Sequence, residues 1–205
     1  MAAVLIAILG AVFASNPPGG LPVPPNKAMD SVHVILETEA GDIEVQLETK
    51  KAPITSADFL KYVDGKFYDG GLFHRTVKPD NQPGDKIRIE VIQGGSNPKR
   101  EKEGWPPIKL ERTTLTKLEH KDGTISMARD GPDTATSDFF ICIGDQPSLD
   151  FGGQRNPDGQ GFAAFGKVVK GMDVVKKIQA SPAEGQKVTP PIKILKARRK
   201  ASPVF

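Results

Sequence analysis

Two strand-like runs open the folded region, the second alternating apolar with polar positions, and this period of two sets the first prediction. Residues 31–38 and 42–47 read as strands, and Glu39-Ala40-Gly41 between them predicts a hairpin. The period then lengthens. Across 52–65, Ile54, Ala57, Phe59, Leu60 and Val63 recur at helical spacing, with Pro53 near the start and Gly65 at the end, so a helix is expected there. Beyond it, short β-like runs at 72–77, 87–93, 123–128, 139–144 and 162–169 are separated by glycine and proline turns. A second helix is expected at 172–178 and a last strand at 191–196. Many strands with only two helices predict a closed sheet carrying helices on its ends. Three long polar stretches, 78–86, 97–109 and 152–161, read as loops with functional or accessory roles.

The two ends differ from this pattern. Residues 2–14 form an unbroken apolar or small-residue run, too short to span a bilayer as a helix. With Val12-Phe13-Ala14 resembling a cleavage site, 1–14 reads as a secretory signal or short hydrophobic leader, although it contains no Lys or Arg. Export to a periplasmic or extracellular compartment is therefore expected, with membrane anchoring through this segment or a cytoplasmic location as alternatives. Once the leader is cleaved, no membrane span is expected. Residues 15–30 are rich in proline and glycine and read as a linker, leaving one domain at 31–198 and a tail at 199–205.

Composition is that of an ordinary globular protein. The 205 residues suffice for one well-buried domain, and the formal net charge is only +3. The basic run Lys196-Ala197-Arg198-Arg199-Lys200 is confined to the C-terminal end and reads as a solvated tail. No basic face or recognition module is evident, so nucleic acid is not an expected partner. The single cysteine, Cys142, excludes an internal disulfide; within an apolar run it reads as a small buried hydrophobe. The three histidines, His33, His74 and His120, lack metal-ligand spacing. No metal or cofactor is expected.

Several partial motifs carry no chemistry. Gly161-Phe162-Ala163-Ala164-Phe165-Gly166-Lys167 matches a phosphate-binding loop except that Val168 replaces the required Ser or Thr, and a strand and turn is the better reading. No serine sits in a nucleophile elbow. What remains is Arg75, flanked by His74 and Phe73, with Gln93 further along. Arginine stays protonated and only donates, so any chemistry it performs is by hydrogen bonding and charge. On composition alone, a buried structural arginine is the favoured reading.

Several segments then fall into one order: Gly41-Asp42-Ile43, Phe73-His74-Arg75, Gln93-Gly94-Gly95, Gly123-Thr124-Ile125-Ser126-Met127-Ala128, Ser137-Asp138-Phe139-Phe140-Ile141, and Phe165-Gly166-Lys167-Val168 before Gly171-Met172. In this order and spacing the chain, over about 32–197, resembles the cyclophilin family of peptidyl-prolyl cis-trans isomerases, and its bacterial members in particular. The resemblance implies a mainly β fold, a closed eight-stranded antiparallel barrel capped by two α-helices, with the active groove on its outer face. It also implies an isomerase acting on X-Pro bonds of proline-containing polypeptides and assisting their folding. A non-catalytic binder or chaperone of such segments is the alternative, and a monomer is expected.

The roles the resemblance implies are a catalytic Arg75, a hydrogen-bonding Gln93, and a proline pocket of Val91, Phe140 and Leu149. Phe162 falls where many members have a histidine or an aromatic residue. Ala128, Arg129 and Asp130 line the substrate peptide through their backbone, and His74 stands at the groove edge. Four positions depart from the family. Glu90 stands where a pocket phenylalanine is usual, Asp138 replaces a glutamine that holds the arginine, and Ser148 replaces a tryptophan found in some members. Trp105, in a loop that does not align, receives no role. Asp138 either locks Arg75 in place together with Gln93 or holds it back from substrate; the first is expected.

Overall fold

A computed structural model describes residues 32–201, so the expected leader, the linker and residues 202–205 lie outside the described residues. The strands are β1 (Val32–Thr38), β2 (Gly41–Leu47), β3 (Gly71–Val77), β4 (Val91–Gly95), β5 (Thr124–Met127), β6 (Phe139–Cys142), β7 (Ala163–Lys170), β8 (Ala183–Glu184) and β9 (Lys187–Arg199). The helices are α1 (Pro53–Asp64), a single turn α2 (Thr113–Thr116) and α3 (Met172–Gln179). The order β1-β2-β7-β5-β6-β4-β3-β9 closes when β9 pairs back with β1, and every pairing is antiparallel. The expected eight-stranded barrel is therefore formed. The two-residue β8 lies beyond it, as a short hairpin partner of β9.

Inward positions of the strands fill the barrel with Val34, Leu36, Ile43, Val45, Leu47, Phe73, Ile92, Ile125, Phe139, Ile141 and Phe165. The two longer helices complete this core. From α1, Phe59 meets Tyr68, Phe139 and Phe165 at ring separations of 5.1, 5.6 and 5.2 Å, and from α3 come the fully buried Val175 and Ile178. Each such side chain contributes about 1.5–3 kcal/mol by leaving water. Helix α1 has Ala52 at its N-cap, which offers no side-chain acceptor. Its first N–H groups are met instead by the carboxylate of Glu111, which accepts from the backbone of Ile54 and Thr55 at 3.1 and 2.7 Å and from the Thr55 hydroxyl at 2.7 Å. A negative charge there also complements the helix dipole.

Three boundaries differ from expectation for identifiable reasons. The strand expected at 87–93 begins only at Val91, because the Gln82 side chain takes both backbone groups of Ile89 and removes them from the ladder. The helix turn α2 lacks an apolar period long enough to be read. The last strand is longer than expected and takes in the basic run up to Arg199, with Lys200 directly after it: Arg198 pairs with Glu37, Arg199 with Asp64, and Lys200 with Glu44 at 2.7, 2.6 and 2.9 Å.

Candidate active site

A register shift places the central arginine. Strict alternation along β3 would turn Arg75 to the same face as Phe73, which is fully buried inside the barrel. The register of β3 shifts between Phe73 and Arg75 against both β4 and β9, a bulge at His74. One extra residue reverses the phase of a strand. Arg75 therefore faces outward, beside Gln93, its direct partner on β4. From there Val77 and Val91 share the outer face, while Thr76 turns inward and its hydroxyl donates to the carbonyl of Gln179 in α3 at 3.0 Å.

This outer face forms a groove of about 730 Å³ that receives all ten residues expected at the site: His74, Arg75, Val91, Gln93, Ala128, Arg129, Asp138, Phe140, Leu149 and Phe162. Its apolar part is a small separate cluster of Val77, Ile89, Val91, Phe140, Cys142 and Leu149, with Ala128 and Phe162 packed against it. The Phe140 ring meets Phe162 edge-on at 5.4 Å and stacks on His120 at 5.9 Å, so it is held from both sides. His120 in turn bonds Asp150 and Ser126 at 2.7 and 2.9 Å. Cys142 is fully buried in this cluster, and burial pushes its thiol far up, as an inert hydrophobe requires.

Beside the apolar cluster lies the polar one. The guanidinium of Arg75 donates through Nη1 to Gln93 Oε1 at 3.0 Å, and through Nε and Nη2 to Gln186 Oε1 at 2.9 and 2.7 Å. Gln93 passes its own amide N–H to Asp138 at 3.3 Å. Asp138 therefore neither locks Arg75 directly nor withdraws it; it orients Gln93, with His74 Nε2 3.6 Å from the same carboxylate oxygen. Gly95 makes room for the Asp138 carboxyl, with which a Cβ there would collide. Burial raises the Asp138 pKa above the ordinary carboxylate value, with His74 opposing. Burial, and then the charge of Arg155, disfavour the charge on Arg75. An arginine cannot respond by losing its proton, so the cost becomes a demand for hydrogen-bond acceptors.

The departures from the family resolve in space. Ile89, not Glu90, faces the pocket; Glu90 turns away and accepts from Gln179 at 3.0 Å. The signal was present, because Ile89 lies two residues before Val91 and shares its face. Ser148 does not line the groove, whereas Arg155 and Asn156 from the 152–161 loop do. Arg155 ties that loop to the other insertion by donating to Asp85 and to the Ile87 carbonyl at 2.9 and 2.7 Å. Arg129 spends its side chain on the same loop, bonding Asp158 and the Gly161 carbonyl and covering the Phe162 ring at 5.0 Å. Trp105 does line the groove, packed on Tyr62 and Phe67 at 4.8 and 4.7 Å. Nothing in the sequence pointed to Gln186, which follows a turn glycine 111 residues after Arg75.

Comparison with known proteins agrees with this geometry. Residues 33–199 match the family described as Cyclophilin type peptidyl-prolyl cis-trans isomerase/CLD. The chain is 43% identical over 160 residues to peptidyl-prolyl cis-trans isomerase A of Dickeya dadantii, covering 77% of this chain and 76% of that protein. It is 37% identical over 156 residues to a peptidyl-prolyl cis-trans isomerase of Acinetobacter baylyi, covering 76% of each. A cyclophilin-type isomerase of Cryptosporidium parvum, 23% identical, superposes with a TM-score of 0.67 over 84% of this chain and 99% of that one, a likeness of fold. The chain belongs to the cyclophilin-type peptidyl-prolyl cis-trans isomerase family.

Proposed function

We propose that this protein is a peptidyl-prolyl cis-trans isomerase that rotates X-Pro bonds in polypeptides, with Arg75 as its catalytic residue. The observation that carries the proposal is the state of the Arg75 guanidinium. Three of its five N–H groups are held by Gln93 and Gln186, and among the described residues the other two have no partner. They lie in the same groove as a pocket of Ile89, Val91, Phe140, Leu149 and Phe162, apolar and suited to a proline ring.

The reaction needs little else. Amide resonance sets a barrier of about 18–20 kcal/mol to rotation. At the twisted transition state the resonance is lost, and the proline nitrogen becomes pyramidal with a lone pair that accepts a hydrogen bond. A donation from Arg75 to that nitrogen exists only at the transition state, so it raises the rate rather than the affinity. A charge-assisted bond is worth about 1.5–3 kcal/mol, and each 1.36 kcal/mol is tenfold in rate. The apolar pocket adds to this by excluding water, which stabilises the planar, polar amide. No nucleophile, metal or cofactor enters.

The test is turnover of a proline-containing peptide together with its affinity. Arg75→Ala should lower turnover by about a hundredfold while changing the peptide Kd only a few-fold. Equal losses in both would mean that Arg75 is a recognition donor and the protein a binder of proline-containing segments. Export and a monomeric state are part of the same reading, and the apolar run at 2–14 supports export. Fractionation of cells making the full chain, with the mass of the mature form, tests export; sedimentation tests the monomer.

A further inference from the structure

The loop at 78–86, absent from the catalytic reading so far, reaches Arg75 through one amide. Gln186 stands in the turn between β8 and β9 and accepts two bonds from the guanidinium with a single oxygen, at 2.9 and 2.7 Å. Its amide nitrogen donates to the Asn81 carbonyl at 3.2 Å, and its own carbonyl accepts the Thr76 N–H at 2.9 Å. Asn81 is itself fixed at three points. Its side chain donates to the carbonyls of Thr76 and Gly185, both at 3.0 Å, and accepts the Lys78 N–H at 2.7 Å. One inserted residue thus stitches together the end of β3, the β8–β9 turn and its own loop.

We propose that Gln186, held by Asn81, is the positioning residue that presents Arg75 to the substrate amide, and that the 78–86 insertion serves this purpose. Two features of the chemistry support it. A free arginine side chain samples many rotamers, and ordering it costs entropy. Two bonds to Gln186 and one to Gln93 fix the guanidinium plane before substrate arrives, and such preorganisation is worth rate when the bond forms only at the transition state. The acceptor is also neutral. A carboxylate at 186 would make the same two bonds but neutralise the charge that Arg75 lends to the proline nitrogen. An amide holds the arginine without quenching it.

This inference rests on the isomerase reading, and the experiment separates the two. Turnover at saturation and peptide Kd are measured for wild type, Gln186→Met, Gln186→Glu and Asn81→Ala, and Gln186→Met is also placed in the Arg75→Ala background. Gln186→Met keeps the side-chain volume and should lower turnover about tenfold with Kd within twofold. Gln186→Glu should also lower turnover, although it keeps the acceptor. Asn81→Ala, which touches neither Arg75 nor the groove, should give a smaller loss of the same kind. In the Arg75→Ala background Gln186→Met should add nothing, because its effect runs through the arginine. An unchanged Kd certifies that each groove is folded. Turnover within twofold of wild type in Gln186→Met overturns the inference alone, as does a Gln186→Met effect of equal size without Arg75, or a fall in Kd affinity matching the fall in turnover. A wild type with no turnover overturns the isomerase reading and this inference together.

Discussion

Asp138 reaches Arg75 only through Gln93, whose amide donates to the carboxylate at 3.3 Å and presents its oxygen to the guanidinium at 3.0 Å. An amide has one donor end and one acceptor end, so this order admits no reversal while Asp138 is ionised. The carboxylate orients the arginine's partner and leaves the arginine's charge largely unneutralised.

Protonation of Asp138 should therefore disturb the site. A neutral carboxyl can present a proton to the Gln93 N–H, and the order fails. Because burial raises this pKa, the acid limb of kcat/KM should lie above the ordinary carboxylate range, with activity falling as pH is lowered through it. Asp138→Asn, neutral at every pH and able to present a donor in the same way, should show the lowered activity throughout and lose that limb. A wild type silent at every pH that the substitution awakens would instead mean that Asp138 restrains Arg75.

Arg155 should control binding more than rate. It joins the two insertions at Asp85 and Ile87, next to the pocket residue Ile89. Arg155→Ala should loosen that wall and raise KM for proline peptides several-fold with kcat nearly unchanged. Steady-state kinetics on a single peptide decides it.

Asp58 should destabilise the protein at neutral pH. It is 2% exposed, one carboxyl oxygen has no hydrogen-bond partner among the described residues, and desolvation pushes its pKa to about 6. Its folded pKa is raised, so the fold binds the proton more tightly than the unfolded chain. Wild-type stability should gain from this group as pH falls from 7 towards 4, through about 6. Asp58→Asn should stabilise by about 1–2 kcal/mol at pH 8, an advantage that disappears near pH 4. Denaturant titrations at the two pH values measure it.

Glu111 should be worth as much as a good N-cap, although it lies 57 residues from Ile54 in sequence. Removing it with Glu111→Ala leaves two backbone N–H groups and a buried hydroxyl unmet, a loss of about 1–3 kcal/mol. For a domain of this size that is a fall in Tm of several degrees, about 2–4 °C per kcal/mol. Glu111→Gln should recover part of it, as one acceptor remains.

Legibility followed range. The hairpin of β1 and β2 and the helix at Pro53–Asp64 were readable, because each depends on neighbours a few residues away. The order of motifs marked Arg75 and Gln93 as one site, and β3 and β4 pair them directly. The bulge at His74 left no trace in the apolar pattern, so alternation alone would have turned the arginine into the core. The basic run at the C-terminal end had the composition of a tail, and only its backbone pairing with β1, more than 150 residues earlier, makes most of it a strand.

By itself, then, the sequence determined most of the elements, since alternation and helical period are local consequences of backbone geometry, while the order of its motifs, through the family it resembles, implied the eight-stranded barrel and the residues of its outer groove. Tertiary structure decided how those residues act. It turned Arg75 outward through one extra residue, put Ile89 rather than Glu90 in the pocket, set Asp138 behind Gln93, and supplied Gln186 and Asn81 as a second support. These are contacts between segments far apart in the chain, where hydrogen-bond partners are chosen by closure of the barrel and not by spacing along the sequence.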